Sequence, residues 1–156
     1  MRKILFFLFC SAVLSAQQTV NNDPEIENYV SQISADSLKS HIQKLVSFGT
    51  RHTMSSTTDK KQGIGAARSW VLSKFRTYAK NSGGRMEVFL QNQDIQPDGK
   101  RINKVTNLGN SVAILRGTDP NDKRIFIISG HLDSRVSEVM NANDNAPAMP
   151  TIANIG

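Results

Sequence analysis

Two side chains near the carboxyl end of the chain have types and a spacing that suit a metal site. His131 and Asp133 are two residues apart and directly follow an apolar stretch, so in an extended backbone they project on the same side. A neutral imidazole gives one ring nitrogen to a divalent cation, and a nearby carboxylate fixes the ring through the other nitrogen. The His-x-Asp spacing alone is also typical of a structural histidine, so the surrounding sequence is needed to choose between the two interpretations.

An acidic, Asn-rich segment follows this pair at residues 141–147. Asp144 lies at its centre and offers a hard oxygen ligand of the kind that bridges two divalent ions. The single cysteine, Cys10, excludes a disulfide framework and every zinc site built on cysteine thiolates. The residue types therefore favour a site made of His131 and, provisionally, Asp144, with Asp133 in support.

The elements that position these side chains are predicted as helices first and strands later. Helices are expected over about 24–30 with Asp23 as N-cap, over a stretch that Ser34 or Asp36 caps and Gly49 ends, and over about 61–80. Strands are expected over 86–90, 110–115 and 124–129. The last run is nearly unbroken in its apolar character, as in a central strand covered on both faces. We therefore predict an α/β domain of three layers, whose sheet is incomplete because few residues follow Ser129.

The first sixteen residues have the three-part pattern of a secretory signal peptide. A basic start at Met1–Lys3 precedes a run from Ile4 to Leu14 that is apolar apart from Ser11, and the small residues Ser15 and Ala16 follow. The apolar run is much shorter than the ~20 residues that span a bilayer. We therefore expect removal of residues 1–16, a secreted or periplasmic protein, and no membrane attachment afterwards. Residues 17–33 are expected to be a polar segment with the first short helix.

The composition limits the other partners of the chain. Its 156 residues suit one domain, and its 38% apolar residues suffice for a core. The formal charge of +6 is spread over scattered basic residues rather than a stripe interleaved with aromatics, so no nucleic-acid partner is expected. Gly63 and Gly65 form only a fragment of a phosphate-loop motif, because no Lys-Ser or Lys-Thr follows at the required spacing.

Three segments, in order along the chain, together resemble the opening half of the secreted zinc aminopeptidases of the M28 family. They are Phe48-Gly49-Thr50-Arg51-His52, Gly63-Ile64-Gly65-Ala66-Ala67-Arg68 with Trp70, and Ser129-Gly130-His131-Leu132-Asp133-Ser134. The resemblance implies that residues 34–156 are the N-terminal portion of an M28 peptidase-like domain with a phosphorylase/hydrolase-like α/β fold. It also implies two Zn²⁺ ions at the carboxyl edge of the sheet and peptide substrates for the complete enzyme. In that family His131 corresponds to a zinc ligand, Asp133 to the residue that supports it, and His52 to no ligand.

The same resemblance implies further residues that this sequence does not supply. The family continues with a bridging Asp, a Glu-Glu pair whose first member is the general base, another acidic ligand and a distal His. Asp144 matches the bridging position in residue type, but an alternative alignment places that position near Thr151, where there is no carboxylate. No acidic residue follows Asp144 and no His follows His131. We therefore expect a chain that is truncated or frame-shifted after about residue 147, inactive alone, with weak or absent zinc binding.

Two other functions are open at this point. A non-catalytic secreted binding domain would fold cooperatively without zinc, although an apolar third strand without its neighbours would expose a large apolar patch. A glutaminyl cyclase-like enzyme would resemble the same family in fold and metal ligands but act on an N-terminal Gln. Its distinguishing residues would lie later in the chain, so we rank the zinc aminopeptidase first.

Overall fold

A computed structural model describes residues 23–136, which divide into two compact units between Leu38 and Lys39. The elements are α1 (Pro24–Ser31), α2 (Ala35–Val46), α3 (Gly63–Ala79), β1 (Met86–Ile95) and β2 (Thr106–Leu115). The predicted order of helices before strands is therefore confirmed. The expected signal peptide and Asp144 lie outside the described residues. Within residues 23–136, every helix falls short of the length and hydrophobicity that a bilayer crossing needs.

The first two helices begin at the caps that the sequence offers. The carboxylate of Asp23 accepts the backbone N–H of Glu25 at 2.9 Å, and Pro24 occupies the first turn. At the start of α2 the hydroxyl of Ser34 accepts the N–H of Ser37 at 3.1 Å, which selects Ser34 over Asp36 as the cap. Gly49 follows the end of α2 with a φ of 69°, a left-handed conformation that glycine adopts without strain.

The third helix carries half of the buried residues of the second unit. Its first six residues, Gly63–Arg68, are all buried, whereas Tyr78 near its end is 49% exposed. Phe48, Ala66 and Ala67 form the core, against which Leu45, Trp70 and Leu132 pack. The fully buried part of α3 is therefore its amino-terminal end. The helix begins two residues later than predicted, since the Asp59 carboxylate accepts the N–H groups of Lys61 and Gln62 in a preceding turn.

The two strands form an antiparallel pair that α3 covers. The register runs without interruption from Met86 opposite Leu115 to Ile95 opposite Thr106. Both strands are longer than predicted, because the polar residues at the far end of the pair continue the same ladder. Helix α3 contacts both strands, so the described part of the unit has one helical layer on a two-stranded sheet.

The predicted third strand over residues 124–129 is wrong for the described part of the chain. This run has no regular secondary structure, and its four large apolar residues are strongly exposed, from 82% for Phe126 to 100% for Ile128. A strand exists only beside a hydrogen-bonded neighbour, and β1 and β2 pair with each other. The apolar pattern indicates a preference for burial, but no described strand pairs with the run. The described elements are mixed α and β, as predicted, and the described part of the second unit has one helical layer on a two-stranded sheet. The three-layer arrangement stays a prediction.

The turn after β1, around Pro97–Lys100, is built on Asp98. Its Oδ1 accepts the backbone N–H groups of Lys100, Arg101 and Ile102 at 2.8–2.9 Å, and Gly99 has a φ of 68°. These donors, that of Ile102 foremost, hold the pKa of the Asp98 carboxyl below its ordinary value.

This turn gives a pH-dependent prediction for Asp98→Asn. A carboxyl whose pKa is lower in the folded state stabilises that state above the unfolded pKa of about 3.9, and this contribution is lost as pH falls through the folded value. We expect the variant to be less stable than the parent at pH 7 and the difference to disappear in acid. Urea unfolding at a series of pH values measures it, with Glu87→Gln as control. A difference that is constant with pH would contradict the prediction.

Candidate metal centre

His131 and Asp133 lie on the surface of the second unit. The side chain of His131 is 87% exposed, and its Nδ1 lies 3.0 Å from the backbone oxygen of Asp133 and 3.4 Å from the carboxylate Oδ1. Both oxygens are acceptors, so Nδ1 is the ring nitrogen that carries the hydrogen. Nε2 of the neutral ring then has the lone pair with which a divalent cation is bound. The ring has the orientation that a metal ligand needs, and its assignment to zinc stays a prediction.

The backbone that carries this pair is attached to the loop after α2 through Arg51. The N–H of Arg51 donates to the hydroxyl of Ser134 at 3.1 Å, and the N–H of Ser134 donates to the carbonyl of Arg51 at 3.0 Å. The guanidinium of Arg51 donates from Nε to the carbonyl of Leu132 at 2.9 Å and from Nη1 to the carbonyl of Leu45 at 2.6 Å. Two sequence segments that are about eighty residues apart therefore meet at one arginine.

The charge of Arg51 lies close to the candidate site. Burial of the guanidinium lowers the pKa of Arg51, and the carboxylate of Asp133 opposes this effect by favouring the charged form. An arginine stays protonated at neutral pH in either case. Asp133 is therefore attracted to the positive charge of Arg51 and also lies close to the Nδ1–H of His131.

A pocket of about 560 Å³ adjoins His131 and is bordered by α3 and β2. Among its lining residues is Arg68, which is only 4% exposed and donates from Nη1 to the carbonyl and the side-chain oxygen of Asn107 at 3.3 and 3.2 Å. The side-chain nitrogen of Asn107 in turn donates to Asp94 at 2.7 Å. Burial lowers the pKa of Arg68. The pocket is thus of a size that takes small ligands, and its lining includes the buried Arg68 and its half-buried partner Asn107.

The other two histidines have packing roles. His52 is 8% exposed, and its Nδ1 accepts the backbone N–H of Met54 at 3.1 Å. His41 lies edge-on to Trp70, with 5.6 Å between the ring centroids. The expectation that His52 is not a metal ligand stays a prediction.

The described residues contain part of a zinc site at most. Residues 23–136 hold no group of three or more His, Cys, Asp or Glu that could surround an ion. His131 fits the role of one ligand, because its ring is exposed and correctly oriented. Asp144, the provisional second ligand, lies outside the described residues, so its part in the site stays a prediction.

Sequence reasoning missed the two arginines that connect the site to the fold. Arg51 and Arg68 both fall within segments that carry the family resemblance, but Leu132 and Asn107, to which they donate, are 81 and 39 positions away in sequence. Nothing in the local spacing of either residue indicates such a partner. The sequence offers one indirect signal, for Arg68 alone. Its neighbours include the small residues Gly65 and Ala67, beside which a long cationic side chain can be more buried than charged side chains usually are.

Relatives of the chain are named as probable zinc metalloproteases. A probable zinc metalloprotease of Leptosphaeria maculans is 43% identical over 125 residues, which are 80% of this chain and 28% of that protein. One of Pyricularia oryzae is 41% identical over 135 residues, 86% of this chain and 26% of the relative, and one of Pyrenophora teres f. teres is 44% identical over 126 residues, 80% and 27%. The chain is similar to zinc metalloproteases. It spans between a quarter and a third of the length of these curated relatives. No protein-family model matches the chain, and no solved structure matches it significantly.

Proposed function

We propose that this chain is the N-terminal portion of a secreted zinc-dependent aminopeptidase of the M28 type, which acts on peptides. The observation that carries the proposal is the orientation of the His131 ring, whose Nδ1 faces two oxygens of Asp133 and whose Nε2 points away from them. The similarity to probable zinc metalloproteases over four fifths of the chain supports the choice of metal and of reaction class. The pattern of residues 1–16 supports secretion.

The roles of the residues follow from their chemistry. His131 would hold a zinc ion through Nε2, and Asp133 keeps the hydrogen on Nδ1 and limits rotation of the ring. Asp144 would give a bridging carboxylate oxygen. Zinc, when bound, polarises the peptide carbonyl and lowers the pKa of a coordinated water. The pocket beside His131 offers room for the amino-terminal end of a peptide.

The proposal includes the fold and the activity of the isolated chain. The exposed apolar run 124–129 would be the central strand of a three-layer phosphorylase/hydrolase-like sheet in the complete domain, where neighbouring strands would cover it. The sequence has no acidic residue after Asp144 that could act as the general base. We therefore expect no peptide hydrolysis by this chain alone.

A chimera tests the proposed function directly. The segment of the Leptosphaeria maculans relative that aligns with this chain is replaced by the residues of this chain, which are 43% identical to it. We expect the chimera to release the N-terminal amino acid from aminoacyl p-nitroanilides, to lose this activity with a chelator and to regain it with Zn²⁺. His131→Ala in the chimera should lower kcat/KM by about 100-fold or more, because a metal ligand is lost.

Matched controls make the result specific. His41→Ala removes an imidazole that packs on Trp70 and should leave kcat/KM of the chimera nearly unchanged. N-acetylated substrates should not be cleaved if the enzyme is an aminopeptidase. Full activity of His131→Ala would sink the metal-ligand assignment. Cyclisation of an N-terminal Gln with release of ammonia, in place of amino-acid release, would favour the cyclase instead.

A further inference from the structure

The segment that carries His131 has few attachments to regular secondary structure. Residues 124–131 are all exposed and belong to no helix or strand. Their immediate continuation is anchored, because Leu132 packs against the core of Phe48, Ala66 and Ala67. The position of His131 is therefore set by what holds the backbone just after it.

Arg51 provides three of the hydrogen bonds that hold this backbone. Its main chain exchanges two bonds with Ser134, in which each residue both donates and accepts. Its Nε donates to the carbonyl of Leu132, the residue between His131 and Asp133. The bonds thus fix the chain at two points that enclose Asp133.

The guanidinium also connects this segment to a helix end. Nη1 donates to the carbonyl of Leu45 in the last turn of α2, a position where helix carbonyls lack partners within the helix. A planar guanidinium can serve two carbonyls at fixed angles, whereas a lysine ammonium is a single point on a flexible stem. The side chain of Arg51 therefore holds the backbone at Leu132 in a fixed position relative to the end of α2.

We propose that Arg51 is a positioning residue, which connects the end of α2 to the backbone of Leu132 and Ser134 and thereby holds His131 and Asp133 in the geometry of a metal ligand and its supporting carboxylate. The metal part of this inference rests on the proposed function. The positioning part concerns the chain itself and is measurable without any metal. Charge attraction between Arg51 and Asp133 adds to the hydrogen bonds.

Amide hydrogen exchange and imidazole NMR on the full chain test the proposal. In Arg51→Met, which keeps a similar length without a charge or donors, we expect the N–H of Ser134 to exchange at least about tenfold faster, because local opening becomes easier. The amides of Phe89 and Val112 in the β1–β2 pair should change by less than about twofold. Arg51→Lys should give a partial effect, and Arg76→Met, at an exposed arginine of α3, should give none.

A zinc chloride titration adds the metal readout. Zinc binding by the isolated chain is expected to be weak or absent, so the ¹⁵N shift of His131 Nε2 is followed to high zinc concentration. Where the parent responds, Arg51→Met should require about tenfold more zinc for the same response. A parent that does not respond agrees with the expected weak binding, and the exchange of Ser134 then decides the positioning role alone. Equal exchange at Ser134 in Arg51→Met and Arg76→Met overturns the proposal. Uniform acceleration that includes Phe89 and Val112 also overturns it, because the role would then be general stability.

Discussion

Gly65→Ala is expected to destabilise the second unit by about 2–3 kcal/mol, although alanine is the better helix former. A Cβ atom at position 65 would lie 2.5 Å from the carbonyl carbon of Thr57 and 2.6 Å from its Cα, with the carbonyl oxygen closer still. These are backbone atoms, which cannot rotate away as a side chain can. The N–H of Gly65 also donates to the carbonyl of Ser56 at 3.0 Å, so moving the loop costs a buried hydrogen bond.

Whether Gly65→Ala raises or lowers the free energy of unfolding depends on the relative size of two opposing effects, helix propensity and steric overlap. Alanine gains about 1 kcal/mol over glycine in a helix interior, whereas overpacking a closed contact costs typically 1–3 kcal/mol and the lost hydrogen bond adds to that. Urea unfolding of the variant and the parent measures the difference. Gly117→Ala is the matched control, because a Cβ there would meet nothing within 4 Å. A Gly65→Ala chain as stable as the parent would show that the loop at Thr57 yields freely.

The sequence predicts those parts of the fold that depend on local chemistry. The caps at Asp23 and Ser34 and the turn at Asp98 each use a side chain that bonds to backbone within four residues, so the pattern is visible in a short window. The spacing of Gly63 and Gly65 looks, in a short window of sequence, like part of a phosphate loop. In the structure, a glycine is required at position 65 for a different reason, because the backbone of Thr57 approaches it closely.

Features that depend on distant partners are not predictable in this way. The run at residues 124–129 has the composition of a buried strand, but whether it forms one depends on which strands lie beside it. The same is true of the candidate site. The pair of His131 and Asp133 can be recognised in the sequence from its spacing. The hydrogen bond from Arg51 to Leu132 joins residues 81 positions apart, so it is seen only in the fold.

Arg68→Ala is expected to destabilise the second unit by about 3 kcal/mol, for reasons of volume and of hydrogen bonding together. The side chain is 4% exposed, so its removal leaves a cavity between α3 and β2. It also leaves two oxygens of Asn107 without the donor that they share. Arg68→Met separates the two effects, because it keeps most of the volume and removes only the donor. We expect that variant to lose about 1–2 kcal/mol in urea unfolding.

A double-mutant cycle with Gly109 tests whether Arg68 has the position that this argument requires. A Cβ at Gly109 would overlap Nη1 of Arg68 and lie 3.2 Å from its Cζ, so Gly109→Ala should be costly in the parent chain. In the Arg68→Ala background the obstacle is gone and the added methyl group fills part of the cavity, so the second substitution should cost little or stabilise. The expected coupling between the two sites is about 1–3 kcal/mol. Strict additivity would mean that Arg68 does not lie over Gly109 in solution. The pocket wall beside His131 would then have a different shape from the one described.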